Sequence, residues 1–361
     1  METIYDVVED MKEILLGERM ADVRGLRDVV KESVRMREIL CPPQYVMMKI
    51  TNCCNSDCVY CNHAVSKQGI EEKSTISVEK ILEIVDQAAE LGVKALSLSG
   101  GEPLVTCDIE KIVERIVSKG IVPVMLTNGL LLEEKAERLY EAGLKYFIIS
   151  IDSLDEEAYR IQRGASLKRA LKGIDKLLEI KEKDENVRIH ITPVLTQNNL
   201  EEMPEFIRYF SEKGVAVQLS PYHQFDKSKE DILSIQDIDK LKEVIKELIS
   251  MKKNGALIAN SEGFLKHFVP FFEEKKVVPD QYKCLSGYIS TYIDAYANVR
   301  VCWSGSFGPV ENLYENTLSE IWYGEKYQKV RERMVRRECE GCWFLCTGEL
   351  TTMIVEGGEE R

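Results

Sequence analysis

Between residues 45 and 221 the chain alternates strand-like and helix-like stretches, and this alternation limits its possible folds more than any other feature. Apolar runs of strand length predict strands over 45–50, 95–98, 122–126, 145–151, 187–195 and 215–219. Apolar residues at helical intervals predict helices between them, over 78–91, 109–119, 131–142, 167–183 and 201–213. Parallel βα units of this kind close into a barrel or lie open as a doubly wound sheet. Six units fall short of the eight that close fully, so the expectation is an α/β fold, a partial (β/α)6 barrel of parallel strands. Polar residues and glycines gather just after the strands, at the end where both architectures bind ligands.

The flanks differ from this core of 44–221. Residues 1–43 form a charged preface with Val7, Met11, Ile14, Leu15, Val23, Leu26, Val29, Val30 and Val34 at helical intervals, ended by Pro42-Pro43. Residues 222–278 predict a linker of two amphipathic helices, 235–252 and 262–274. The second carries Phe264, Phe268, Phe271 and Phe272, a stripe that reads as core. Residues 279–361 predict a hairpin over 288–294 and 298–302 and a helix over 318–336, followed by a cysteine cluster.

The chain holds eleven cysteines, in two groups with none between Cys107 and Cys284. Its acidic opening lacks the layout of a signal peptide and no apolar run has the length of a membrane span, so a soluble, cytoplasmic protein is expected. In a reducing compartment, close cysteine spacings point to metal. Cys54, Cys58 and Cys61 are spaced C-x3-C-x2-C on the loop that ends the first strand. Three thiolates so close can hold three corners of an iron–sulfur cube and leave the fourth iron open. Zinc would want a fourth ligand, for which Cys53 and His63 are nearest, and the spacing favours iron–sulfur. The late group, Cys284, Cys302, Cys339, Cys342 and Cys346, suggests a second metal site. Cys41, Cys53 and Cys107 fit neither pattern, and Cys53, beside a candidate ligand, reads as a buried spare thiol. The net charge of −13 opposes a nucleic-acid partner. The four histidines, at 63, 190, 223 and 267, form no recognisable triad or metal pair.

The three-cysteine loop, Gly100-Gly101-Glu102-Pro103 after the second strand and the sixfold βα pattern together resemble the radical S-adenosylmethionine (SAM) superfamily over residues 44–221. Tyr60 fits the aromatic found just before the third cysteine. The resemblance implies that Cys54, Cys58 and Cys61 hold a [4Fe–4S] cluster whose free iron is chelated by the amino and carboxylate groups of SAM. It implies that Gly100, Gly101, Glu102 and Pro103 meet the methionine end, the glycines letting the backbone come close. Ser150-Ile151-Asp152 followed by Arg163-Gly164 resembles the family's S-x-D…R-G pattern, in which Ser150 and Arg163 would bind the SAM carboxylate and ribose region. Asn128 and Thr192 also fall at strand ends.

Cys284, Cys302, Cys339, Cys342 and Cys346, with Glu311-Asn312-Leu313…Leu318…Ile321-Trp322 between them, resemble the auxiliary-cluster region called SPASM or its shortened form, twitch. Five cysteines imply one auxiliary [4Fe–4S] cluster, held by Cys284, Cys302, Cys339 and Cys342, with Cys346 able to replace one of them. The implied chemistry is reductive cleavage of SAM to a 5′-deoxyadenosyl radical and oxidative modification of a substrate C–H bond, most simply in a peptide, by a maturase. A low-potential electron donor such as ferredoxin or flavodoxin would supply the electron. The alternatives are dehydrogenation or decarboxylation of a small metabolite and, outside enzymes, an iron–sulfur or zinc scaffold.

Overall fold

The computed structural model describes residues 23–61, 76–225, 230–274, 284–339, 341–349 and 352. The expected helices before residue 23, together with His63, lie outside the described residues. The described chain opens on α1 (Val23–Met36). Strands β1 (Tyr45–Thr51), β2 (Ala95–Gly100), β3 (Val122–Thr127), β4 (Tyr146–Ile149) and β5 (Arg188–Ile191) follow. Past β6 (Val194–Leu195) comes β7 (Ala216–Val217); β1 to β5 and then β7 pair in parallel, in chain order. This is the expected run of six parallel strands. β6 pairs in parallel with β8 (Ser220–Pro221) as a small second sheet.

The returning helices are α2 (Val78–Leu91), α3 (Ile109–Ser118), α4 (Leu132–Glu141), α5 (Glu156–Arg163), α6 (Leu167–Lys181) and α7 (Met203–Glu212). Local chemistry fixes their ends. Ser77 caps α2 by accepting from the Lys80 amide, and Gly92 stops it with φ near 91°. Ile81, Ile84, Val85 and Ala88 then form one fully buried face against the sheet, each larger side chain contributing about 1.5–3 kcal/mol by burial.

The sheet continues past β1 on its other edge. After α8 (Ile238–Lys253), α9 (Glu262–Lys266), α10 (Phe268–Glu274) and α11 (Ser286–Ile289), strand β9 (Ser290–Ile293) pairs in parallel with β1, Tyr45 opposite Ser290 and Met48 opposite Ile293. β10 (Asn298–Arg300) and β11 (Glu311–Asn312) add on antiparallel. Cys284 and Cys302 therefore flank a strand pair whose first member, β9, is hydrogen-bonded to the strand that carries the first cysteine loop.

Several boundaries differ from the sequence expectation. The strand expected over 187–195 splits because Pro193 has no amide to donate to a ladder. The helix expected over 318–336 is two, α12 (Leu318–Tyr323) and α13 (Glu325–Val335), broken at Gly324. The helix over 262–274 breaks at His267, and 286–289 is helical rather than the start of the hairpin. Helix α5 was not expected. It is capped by Asp155, which accepts from the Ala158 amide at 2.7 Å, and ended by Gly164 with φ near 60°. No helix among the described residues is long and apolar enough to cross a membrane.

Candidate active site

The cysteine loop leaves the C-terminal end of β1 and is clasped from three sides. From β2, the Gly101 amide donates to Thr51 O at 2.9 Å and the Glu102 amide to Cys53 O at 2.8 Å. A Cβ on Gly101 would lie 2.2 Å from Cys53 O, and one on Gly100 2.5 Å from Thr51 O. The two glycines therefore make room for the chain's own cysteine loop, not only for a ligand as their motif suggested. From the turn after β3, Asn128 Nδ2 donates to Asn55 Oδ1 at 2.7 Å and to Ser56 Oγ at 3.0 Å. From the end of α5, the carbonyls of Gln162 and Arg163 accept the amides of Val59 and Asp57, both at 2.9 Å.

Glu102 is 1% exposed and its carboxylate is taken up by the chain itself. It accepts from the Asn128 amide and Thr127 Oγ1 at 2.7 Å each, and from the Leu104 amide at 3.1 Å. Burial pushes its pKa up to about 7 against the pull of those bonds. Pro103 opens the following turn of 3-10 helix and is buried. Glu102 thus ties the end of β3 to the glycine turn, which makes it a positioning group.

Arg163, the last residue of α5, is buried. Its Nε and Nη2 donate to the two oxygens of Asp152 at 2.7 and 2.9 Å, while Nη1 lies 4.0 Å from Cys58 Sγ. Asp152 also accepts from Tyr60 Oη at 2.6 Å and from the Val194 amide at 2.8 Å. One wholly buried carboxylate therefore joins the cysteine loop, α5 and β6. Arg163 and Tyr60 have their polar ends engaged there rather than turned to an open pocket. Sequence reasoning named Arg163 and Tyr60 as cofactor contacts and missed Asp152 as the hub that orients them.

The late cysteines also come together. After burial, what raises the Cys284 thiol is the proximity of Cys342, Cys302 and Cys339, and Cys342 and Cys302 raise that of Cys346 in the same way. The segment carrying Cys342 and Cys346 is fixed by aromatic packing. Trp343 stacks on Phe264 at 5.1 Å and donates from its indole to Phe264 O at 3.0 Å; its backbone amide donates to His223 Nε2 at 2.9 Å. Burial holds the His223 pKa down to about 4, so the ring is neutral, with Nδ1–H donating to Pro221 O at 2.8 Å. Phe344 lies flat on that ring, 3.8 Å between centroids. The phenylalanine stripe of the linker is core, as expected, and part of that core is the seat of the late cysteines. Of the three unassigned cysteines only Cys41 is buried; Cys53 and Cys107 are exposed, so the expectation of a buried thiol at Cys53 fails.

The donor chemistry of both groups suits iron–sulfur clusters. Burial pushes Cys58 up to about 11, with Arg163 opposing, and raises Cys284 and Cys346 beyond the usual thiol range. Such thiols stay protonated until a metal displaces the proton. The Ser56 amide points at Cys54 Sγ at 3.4 Å, a donor of the kind that tunes cluster sulfur. None of the eleven cysteines is joined in a disulfide. Among the described residues no group of three or more His, Cys, Asp or Glu side chains has the spacing to hold a lone metal ion.

Two cavities flank the exit of β4. The outer one, about 450 Å³, is lined by Tyr60, Cys61, Ser153, Gln162, Asn199 and Glu202 among others. The inner one, about 230 Å³, occupies the barrel lumen, where Ser150 and Thr192 face Trp303, Phe344, Cys346 and Glu349. Ser150 thus lies on the lumen side, and Thr192 faces a cavity where Asn128 does not. A thiol-rich loop at the mouth of a partial parallel barrel, beside the outer cavity, and a second thiol group that reaches the lumen through Cys346 define an iron–sulfur protein with space for a ligand at each.

Comparison with known proteins makes this specific. The family model of the radical SAM superfamily matches residues 48–210, and that of the SPASM iron–sulfur cluster-binding domain matches residues 284–343. The chain belongs to the radical SAM superfamily and carries a SPASM-type auxiliary region; its cofactors are SAM, the [4Fe–4S] cluster that binds it and an auxiliary iron–sulfur cluster. It is 32% identical over 235 residues to a GTP 3′,8-cyclase of Clostridium perfringens, covering 61% of this chain and 70% of that one. It is 33% identical over 194 residues to a probable GTP 3′,8-cyclase of Archaeoglobus fulgidus, covering 52% and 64%. Other GTP 3′,8-cyclases are matched over 45 to 56% of their length, so the chain spans about half of several of these relatives. In fold it resembles Streptococcus suis SuiB bound to precursor peptide SuiA, with TM-score 0.66 and 19% identity over 87% of this chain and 74% of that one. It also resembles native anSMEcpe with bound AdoMet, with TM-score 0.61 and 18% identity over 80% and 83%.

Proposed function

We propose that this enzyme directs its radical at a C–H bond of a peptide side chain that enters the barrel lumen, as a maturase performing a net oxidation. When bound, the first cluster and SAM would supply one-electron reductive cleavage and hydrogen-atom abstraction. The chain's residues bind, orient and exclude water. Cys54, Cys58 and Cys61 would hold that cluster, and Asp152, through Arg163 and Tyr60, keeps their loop in place. The outer cavity beside Tyr60, Cys61 and Ser153 would take the adenosyl part of SAM, and Ser150 would meet it from the lumen side. Cys284, Cys302, Cys339 and Cys342 would ligate one auxiliary [4Fe–4S] cluster of the twitch type, with Cys346 on the lumen side.

The observation that carries the substrate reading is the lumen itself. Its cavity of about 230 Å³ is smaller than the pockets of roughly 300–1,000 Å³ that enclose whole small molecules. It suits one side chain reaching in from a larger body. No Lys or Arg is among its lining residues, whereas a nucleoside triphosphate calls for cations around its phosphates. Arg300, the cation at the end of β10, is paired instead with Asp294 at 2.9 Å. The SuiB structure with its precursor peptide shows that the same fold accommodates a peptide.

The test offers the reconstituted enzyme, SAM and dithionite a randomised peptide library in one vessel and GTP in another. The reading expects peptides lighter by a pair of hydrogens, with GTP untouched. Consumption of GTP alongside unchanged peptides would overturn it.

A further inference from the structure

Glu349 has no part in the cluster sites described above, yet it lines the lumen. It sits on the helical turn Leu345–Glu349 and is 2% exposed. Its Oε1 accepts from the Ser261 amide at 3.0 Å. Its Oε2 is buried, with no hydrogen-bond partner among the described residues, on a side chain that lines the lumen cavity. Thr192 Oγ1, on the same cavity, is likewise unpartnered. Much of the remaining lining is apolar: Met47, Leu126, Ile148, Trp303, Phe344 and Leu345. A buried carboxyl oxygen left without a donor is costly, and native structures seldom keep one that no water, ion or ligand completes.

We infer that Glu349 is the anchor for the substrate group that enters the lumen, a slender apolar chain ending in a hydrogen-bond donor, with an alkylammonium the best fit. This rests on the lumen being the substrate site. The apolar walls suit a methylene chain and the unpaired oxygen its donor end. A charged donor gives the strongest bond to a carboxylate in such a dry setting. Anionic groups are refused by the same oxygen. Burial pushes the Glu349 pKa up to about 7, with Ser261, Lys252 and Asn260 opposing, so a cationic donor also draws the carboxyl into its ionised form. Lys252 does not already supply that donor: its ammonium donates to Ile258 O at 2.7 Å, and no bond to Oε2 forms.

The test uses the iron-loaded, SAM-bound enzyme without reductant and three probes of one length: n-butylammonium, 1-butanol and butyrate. Binding is read by ligand-observed NMR. Butylammonium should bind at least about tenfold more tightly than butanol, the margin of one charge-assisted hydrogen bond, and butyrate should not bind. Glu349→Gln should bring ammonium and alcohol level while iron content stays unchanged. Leu126→Trp, which fills the lumen, should abolish binding of every probe and serves if Glu349→Gln folds poorly. Equal binding of the three probes, no binding by any, or an ordering kept in Glu349→Gln overturns the inference. Ranking the probes needs no turnover, so a failed anchor leaves the peptide reading standing. A failed peptide screen leaves the ranking intact.

Discussion

Gly101→Ala isolates the contact on which the first cluster site depends. Its Cβ would stand 2.2 Å from Cys53 O, 2.6 Å from Cys53 C and 2.8 Å from Asn52 O, all rigid backbone of the cysteine loop. Overpacking of this kind costs about 1–3 kcal/mol where neighbours yield, and more where they do not. The loop can give way only by lengthening the bonds from the Gly101 and Glu102 amides to Thr51 O and Cys53 O, each worth about 1 kcal/mol net. The sum is about 3–5 kcal/mol. At about 2.1 cal/mol/K per residue, 361 residues convert this to a melting temperature lower by roughly 4–7 °C. Gly120→Ala is the control. Its φ is 71° and nothing lies within 4 Å of the added Cβ, so it carries only the left-handed backbone cost of about 1–2 kcal/mol. Thermal melting and iron analysis after anaerobic reconstitution should separate the two. Gly101→Ala should melt low and lose the iron of the first site, while Gly120→Ala keeps it. A Gly101→Ala protein with a full iron complement and the stability of Gly120→Ala would refute the steric reasoning.

Other perturbations follow from the same contacts. Asp152→Asn leaves the Arg163 guanidinium buried without its counter-charge, which should cost about 3–5 kcal/mol and weaken SAM binding; unchanged melting would count against the hub. Glu349 titrates higher in the folded chain, at about 7 against 4.5, so its contribution is complete below pH 4.5 and is lost as the pH rises through 7. The stability of wild type relative to Glu349→Gln should therefore fall by on the order of 3 kcal/mol across that window. Melting curves of both proteins from pH 5 to 8 check it, and parallel curves would contradict the burial of Glu349. His223→Ala removes the acceptor of the Trp343 amide and the ring under Phe344. It should reduce the iron of the auxiliary site and spare that of the first, as Mössbauer spectra of this variant and wild type would show.

Much of this arrangement was legible in the sequence because it is written locally. Helix α2 is where its apolar spacing placed it, with Ser77 and Gly92 as punctuation. The first four core strands begin within a residue of their expected starts, being short apolar runs between turn residues. What was not legible depends on distant residues meeting. Nothing near Ser290 says that it will pair with Tyr45, so the sheet shared by the two cysteine-bearing regions could not be read. The glycine pair was visible as a motif, but the backbone it accommodates belongs to residues 51–53. Asp152 looked like one letter of a cofactor pattern and proved to join Tyr60, Arg163 and Val194. Glu349 carried no signal at all, since its meaning comes from the cavity that it faces. Helix α5 is a different case: Asp155 and Gly164 marked its ends, and its polar sequence, EEAYRIQR, hid it.

The central claim is that Cys54, Cys58 and Cys61 hold the cluster that cleaves SAM, while the late cysteines serve the later oxidation. Its most direct test is the yield of 5′-deoxyadenosine from anaerobically reconstituted protein given SAM and dithionite. Wild type and Cys339→Ala should both form it, the latter at least without coupling to substrate, and Cys54→Ala should form none. Wild-type protein that binds about eight irons per chain, the complement of two four-iron clusters, and yields no 5′-deoxyadenosine would contradict the account, as would Cys54→Ala that still does.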